Sequence, residues 1–518
     1  MWSFVSVKDK QLPTLVAYYC NATTNSVISA YNIRVTMYSL IGRYISRVNQ
    51  KYNTRSCVMA IRQTVHDKSI NDMAHPKCLP LLGTKLDLML AGGGTMLHEY
   101  IDKRHKELGP VFYEKLGCNT KLVFISDPLM IKTVFLSLEG KYPMHILPEP
   151  WVLYEKLYGS KRGLFFMNSE EWLANRRIMN QHLLREGSIE WLEDPIKTTV
   201  KKFVHAWKGK IEKGRTRVNL ESDMYRLSTE VIIAILAGPS SNGVKHSEEM
   251  FSNFSETVKQ IFQTTTKLYG LPLNICQRLN LKVWRNFKES VDASLHLAQS
   301  LVSEMITKRE EGDGLIQKLL KDGVNEETIV QLAADFILAA GDTTAYTSIW
   351  SLYLISQDDS VKHEIRTRDV GYVKNVLKES MRLYPVAPFL TRILPKDCIL
   401  GEYKLNLHTP IIASIYTSGR DEQYFTKANM FLPFRWDRND PRRKNLANHK
   451  PSATLPFALG ARSCIGKKLA TMQLTEFLSQ IVNNFDFKCT NSGKVFPVTS
   501  QVLVPNEPIQ LTISHRNI

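Results

Sequence analysis

The chain has 518 residues, 43% of them hydrophobic and 23% charged. That balance excludes a disordered chain, a collagen and a coiled coil, and the length suffices for one large core. The eight cysteines include no pair at C-x-x-C spacing, which argues against a zinc ribbon or a thioredoxin motif, and their scatter suits a reducing compartment. A net charge of +17 favours acidic partners without saying whether they are nucleic acid, membrane or protein.

Residues 1–70 hold nine Lys or Arg against two acids, and from Gln11 to His66 there is no Asp or Glu. A basic, hydroxyl-rich, acid-free leader has the composition of a mitochondrial transit peptide, although a basic tail would look the same. The uncharged stretch 11–33 carries too many Asn, Ser and Thr to span a bilayer. A single folded domain is expected over 71–518, with ordered structure starting near His75–Gly83. Val111–Leu116 and Lys121–Ile125 flank Gly117-Cys118-Asn119 and read as a hairpin. Asp127-Pro128 opens a helix.

From about 170 to 383 the pattern is mostly helical. Glu326–Ser356 is the longest candidate, with Asn325 placed to cap it. After Pro385 short strands are expected at Arg392–Ile399, Lys404–Leu407 and Ile411–Tyr416, then irregular chain over Asp421–Lys450. Ile465–Val482 is apolar on two faces and reads as a buried helix. The fold class expected is mainly α with small β-sheets.

The most informative segment is Phe457-Ala-Leu-Gly460-Ala-Arg462-Ser-Cys464-Ile-Gly466. A free cysteine is usually a small buried hydrophobe. Here two glycines bracket it and allow close approach of a flat ligand. The following helix favours a thiolate, and Arg462 can meet a carboxylate in bidentate fashion. Together these suit a haem whose iron takes sulfur and whose propionate takes the guanidinium. A cysteine nucleophile is the rival, with His449 the nearest base in sequence.

At every fixed position the pattern resembles that of the cytochromes P450, the haem-thiolate monooxygenases. The resemblance runs from about residue 75 to the C-terminus. It implies a triangular helical bundle around a buried haem b, with Cys464 as the axial iron ligand and Phe457, Gly460 and Arg462 as cofactor contacts. Glu379-Ser-Met-Arg382 could be an ordinary helix pair. In the family the matching residues join a second arginine, here Arg435, in a buried structural triad, although Phe434 stands where a Glu is common. Ala339-Ala-Gly-Asp342-Thr343-Thr344 could be a simple helix kink. The family reading makes Asp342 and Thr343 a catalytic proton relay at a bend, beside Ala339 in the substrate pocket. Trp172 and Arg176, one turn apart, match propionate-binding residues, as does Arg392. Val386, Ala387 and Phe389 would then line the substrate pocket, with core packing as the alternative.

Lys374 and Lys378 could form a merely solvated face. In the mitochondrial branch matching lysines dock an acidic iron–sulfur ferredoxin, itself reduced by an NADPH-dependent reductase. Arg442, Arg443, Lys444, Lys467 and Lys468 would add to that basic patch. The segments LHEYIDKRHKELGPVF, RGLFFMNSEEWLANRR and KESMRLYPVAPFL are similar to those of the insect mitochondrial ecdysteroid 2-hydroxylases. That implies insertion of one atom of O2 at carbon 2 of a 2-deoxyecdysteroid, on the matrix side of mitochondria, with peripheral contact to the inner membrane. Rival readings are action on another sterol or on foreign apolar compounds, and a non-enzymatic haem binder. No motif for reading nucleic acid appears.

Overall fold

The computed structural model describes residues 68–80, 82–116, 120–159, 162–187, 189–238, 248–269, 271–307 and 313–516. The leader to residue 67 and the hairpin turn 117–119 therefore lie outside the described residues. Lys68–Ser69 already pairs in parallel with Tyr403–Lys404, so regular structure begins before the stretch expected to open it, and inside the 1–70 span assigned to the leader.

Nine helices of twelve or more residues run through the described residues. They are α1 (Leu97–Leu108), α2 (Ser169–Leu183), α3 (Glu193–Glu212), α4 (Leu220–Ala237) and α5 (Glu248–Leu268). There follow α6 (Lys282–Thr307), α7 (Glu326–Ser356), α8 (Val370–Leu383) and α9 (Lys467–Asn484). The cap expected for α7 forms: the Asn325 side chain accepts from the Thr328 amide. Asp127 likewise caps the helix Pro128–Thr133 by accepting from Leu129 and Met130. α7 is buried on nearly every side and runs through the largest apolar core, packed against α4, α6 and α8. A helix apolar all round can only be satisfied in such a central position.

The main sheet has four strands: β1 (Val111–Glu114), β2 (Leu122–Ile125), β3 (Phe389–Ile393) and β4 (Pro410–Ser414), in the order β1-β2-β4-β3. β1 and β2 form the expected hairpin, β2 and β4 pair in parallel, and β3 pairs antiparallel with β4. The single strand expected at Arg392–Ile399 is two, β3 and Cys398–Leu400, separated by Leu394–Asp397. Pro395 and the Lys396-Asp397 pair interrupt the ladder there, since proline has no amide to donate. The stretch 421–450 is irregular apart from single turns at Pro433–Trp436 and Pro441–Asn445. α9 begins at Lys467 rather than Ile465, because Gly466 caps it.

α1 packs on its neighbours through two buried imidazoles seven residues apart, hence on one helix face. His105 contacts the Ser414 hydroxyl at 2.8 Å and meets the Phe112 ring edge-on. His98 contacts the Thr499 hydroxyl at 2.8 Å and meets the Tyr416 ring edge-on. Burial pushes both imidazoles down to about 4. They are neutral in the folded chain and gain a proton at about pH 6.5 when unfolded. The unfolded state therefore binds more protons between those values, and stability falls as pH drops from 6.5 toward 4. Urea unfolding at pH 7 and pH 5 should show a lower midpoint at pH 5. Replacing His105 with Gln, which keeps a polar contact but cannot titrate in this range, should shrink the difference.

Candidate active site around Cys464

The loop leading into α9 is held by its own backbone. The Cys464 amide donates to the Phe457 carbonyl at 2.9 Å, and the Ser463 amide to Gly460 at 3.1 Å. This tight reversal requires positive φ at Ala458 (57°) and Gly460 (78°). A Cβ at Gly460 would lie 2.1 Å from the Phe135 carbonyl oxygen, so only glycine fits. Phe457 is half-buried. Cys464 has accessible surface despite lying among core elements, and the Phe336 ring of α7 and the Cys464 sulfur both approach Gly466. Burial in the surrounding protein pushes its thiol up, opposed by the Gly466 amide and by the charges of Arg176 and Lys467.

Around this loop the structure gathers cations. Arg176 on α2 donates to the Ser463 carbonyl at 2.6 Å. Arg462 lies over the Trp172 ring at 4.4 Å and donates to the carbonyls of Pro143 and Met167. Arg392 on β3 donates to Glu139 at 2.7 Å and approaches the Leu459 carbonyl at 3.4 Å. Glu139 in turn accepts from the Ala461 amide at 2.8 Å. Sequence reasoning missed two members, Glu139 and His145. Burial, then the charges of Arg462 and Arg392, push His145 down to about 3. Burial, then Arg392 and Arg176, push Arg462 down to about 10. Arg392 pairs with the Glu139 carboxylate while Arg462 and Arg176 donate to backbone carbonyls, and both Arg176 Nε and His145 Nε2 are buried without a partner. Donors left over in a positive setting fit an anionic ligand such as a pair of carboxylates. No local motif marked His145; only tertiary packing brings it in.

Alternation along β3 decides what else faces the loop. Residues two apart share a face, so Leu390 lies with Arg392, and it joins the apolar cluster that Leu455 and Leu459 also pack against. Phe389 points the other way, meets the Phe124 ring and joins the cluster of Phe112 and Ile412. Those contacts fit the core-packing alternative for Phe389, while Leu390 shares a strand face with Arg392. Val386 and Ala387 are half-buried, and the Val386 carbonyl accepts from the Leu503 amide.

α7 is unbroken through Ala339–Thr344. Ala339 is exposed and Thr343 half-exposed in the middle of a mostly buried helix, on the side that also carries Phe336. The Thr343 hydroxyl donates back to the Ala339 carbonyl at 3.0 Å. Asp342 does not lie beside it. One residue is 100° of helix turn, and Asp342 is fully buried toward Glu221, Tyr225 and Tyr346. Burial and the nearby Glu221 raise its carboxyl well above the usual range.

Glu379, Arg382 and Arg435 meet with no exposed surface. Glu379 accepts from Arg382 at 2.8 and 2.9 Å, from Arg435 at 2.8 Å, and also from the Leu432 amide and the Trp436 indole. Burial alone would raise the carboxyl, but Arg382, Arg435 and the amide outweigh it and hold it below its ordinary value. Lys374 and Lys378 are exposed on α8, and Lys378 lies over the Trp436 ring at 6.0 Å. Arg442 is not a free charge, since it is clamped by Glu364 and Asp440. His449, the alternative base, packs on Phe425 and Trp436 and has no contact with Cys464.

The family model for cytochrome P450 matches residues 73–513, and the chain belongs to that family. It is thus a haem-iron enzyme, a haem-thiolate monooxygenase with the fold described above. It is 36% identical over 462 residues to "Cytochrome P450 315a1, mitochondrial" of Drosophila melanogaster, covering 85% of this chain and 88% of that one. It is 27% identical to the mitochondrial 1,25-dihydroxyvitamin D(3) 24-hydroxylase of Mus musculus, covering 87% and 90%. It is 26% identical to the mitochondrial cholesterol side-chain cleavage enzyme of Mesocricetus auratus, covering 80% and 84%.

Glu379→Ala should leave two buried guanidiniums unpaired and cost about 3–5 kcal/mol. Chemical denaturation should read that loss, while Lys374→Ala, at the surface of the same helix, should shift the midpoint little.

Proposed function

We propose that the chain is a mitochondrial steroid hydroxylase that holds haem b on Cys464 and oxidises carbon 2 of 2-deoxyecdysteroids, as in the conversion of 2-deoxyecdysone to ecdysone. The observation that carries the cofactor assignment is an accessible thiol among core elements, beside a set of buried cations with donors to spare. Haem, when bound, supplies oxygen activation at a thiolate-ligated iron. Cys464 gives the sulfur, and the Gly466 amide, Arg176 and Lys467 favour its ionised form. Arg176, Arg392, Arg462 and Trp172, with His145, hold the propionates. Thr343 holds a hydroxyl on the face that carries Phe336, while Asp342, its carboxyl raised by burial and Glu221, lies on the buried side. Ala339, Val386, Ala387 and Leu390 bound an apolar space for the steroid.

Electrons come from an adrenodoxin-like mitochondrial ferredoxin, reduced by its NADPH-dependent reductase and docked on Lys374 and Lys378. The acid-free leader, the basic surface and the mitochondrial relatives support that reading. Among the described residues no helix is long and apolar enough to cross a membrane. The exposed Leu79, Leu82, Leu86, Met89 and Leu90 support peripheral contact with the inner membrane. The steroid assignment rests on the segment resemblance. The vitamin D and cholesterol enzymes among the relatives favour a second reading, another sterol as substrate.

The reduced, carbon-monoxide-bound protein should show the red-shifted band of thiolate ligation, and Cys464→Ala should lose it. Reconstituted with ferredoxin and reductase, the chain should convert 2-deoxyecdysone to ecdysone. Absence of product from any 2-deoxyecdysteroid, with another sterol turned over, would favour the second reading. Thr343→Ala should keep the band yet yield several-fold less product per NADPH.

A further inference from the structure

On the side of α7 away from Cys464 lies a cavity of about 210 Å³. Its wall includes Glu221 and Tyr225 of α4, Lys259 of α5, Asp342 and Tyr346 of α7, and Val502. Asp342 has 1% of its surface exposed, and its Oδ1 has no hydrogen-bond partner. A buried carboxyl oxygen without a partner is costly unless water reaches it, and this volume has room for several water molecules. One helix turn further on, the Tyr346 hydroxyl donates to Glu221 Oε1 at 2.6 Å. Lys259 donates to the other oxygen of Glu221 at 3.1 Å. The exposure rises outward: Glu221 is 19% exposed and Lys259 35%. The groups thus form a graded series from solvent to the buried acid.

We propose that this cavity holds the water through which protons reach Asp342, and that Glu221, oriented by Tyr346 and Lys259, passes them in from solvent. The inference deepens the relay reading given above and rests on it. Each turnover combines R–H, O2, two electrons and two protons to give R–OH and water, with the electrons arriving from the iron–sulfur protein. Both protons must come from solvent. Glu221 takes one from the surface, releases it to water in the cavity and is reprotonated from outside. Asp342 accepts the proton from that water and gives it up toward the Thr343 face. Burial and the nearby Glu221 raise its proton affinity, which suits a group that takes a proton from water. Lys259 keeps Glu221 in place at the mouth.

Glu221→Gln keeps an acceptor for Tyr346 and removes the titratable proton. Tyr346→Phe removes the hydroxyl that orients Glu221. Each holoenzyme is reconstituted with ferredoxin and reductase and given the steroid that the wild type hydroxylates. Product per NADPH should fall at least threefold, and the solvent isotope effect on turnover in D2O should rise. Hydrogen peroxide supplies oxygen with its protons already attached (R–H and H2O2 give R–OH and water). Peroxide-driven turnover should therefore stay near wild type in both variants. Wild-type coupling with an unchanged isotope effect in both variants would overturn the proposal, as would an equal loss of peroxide-driven turnover. If one variant fails to show the carbon-monoxide band, the other decides. A wild-type chain lacking that band would instead sink the thiolate reading itself.

Discussion

A single buried carboxylate organises the chain around the thiol. Glu379 stands at the end of α8 and accepts from two guanidiniums, an indole and an amide. The arginines spend their remaining donors on the carbonyls of Gly419, Thr426, Lys427, Ala428 and Met430. The irregular stretch that regular structure cannot hold is thus wrapped about one charge. That stretch is stitched to the chain before the thiol, through Thr426 with Asn448, Lys450 with Tyr424, and Ser418 with Ala453. The position of Cys464 is therefore inherited from Glu379. Charges so deeply buried persist only when every donor is used, and here nearly all are.

The thiol's surroundings follow the opposite rule. Beside the loop the donors exceed the acceptors, and Arg176 and His145 are left with unpaired atoms. A fold that satisfies its polar groups so fully at Glu379 leaves them wanting here. The contrast separates a structural cluster from a binding one more clearly than burial does, since both are buried. The same logic singles out Asp342, whose lone oxygen opens on a cavity rather than on another chain atom.

Much of this was legible in the residues. The hairpin, the capped α7 and the thiolate loop follow from turn chemistry, capping and motif spacing, all of which are local. The break at Pro395 was readable too, but the apolar run on either side concealed it. What escaped was decided by direction. Phe389 and Leu390 are equally apolar neighbours, and only the pairing of β3 with β4 sets which one faces the loop. Asp342 and Thr343 are adjacent in sequence yet look to different spaces, which a helical wheel could have indicated. Glu139 and His145 come from distant segments and carry no pattern at all. Trp436 follows Arg435 directly, and its indole is a further donor to Glu379 that no local pattern marks.

The parallel pairing of Lys68–Ser69 with Tyr403–Lys404 sets a boundary for any maturation of this chain. The Lys68 side chain also reaches Glu402 at 2.9 Å, so the tie is doubled. A protease that trimmed past this point would strip the outer sheet of a strand and leave Tyr403–Leu405 with a bare edge. Folding itself would then limit how far a presequence can be removed.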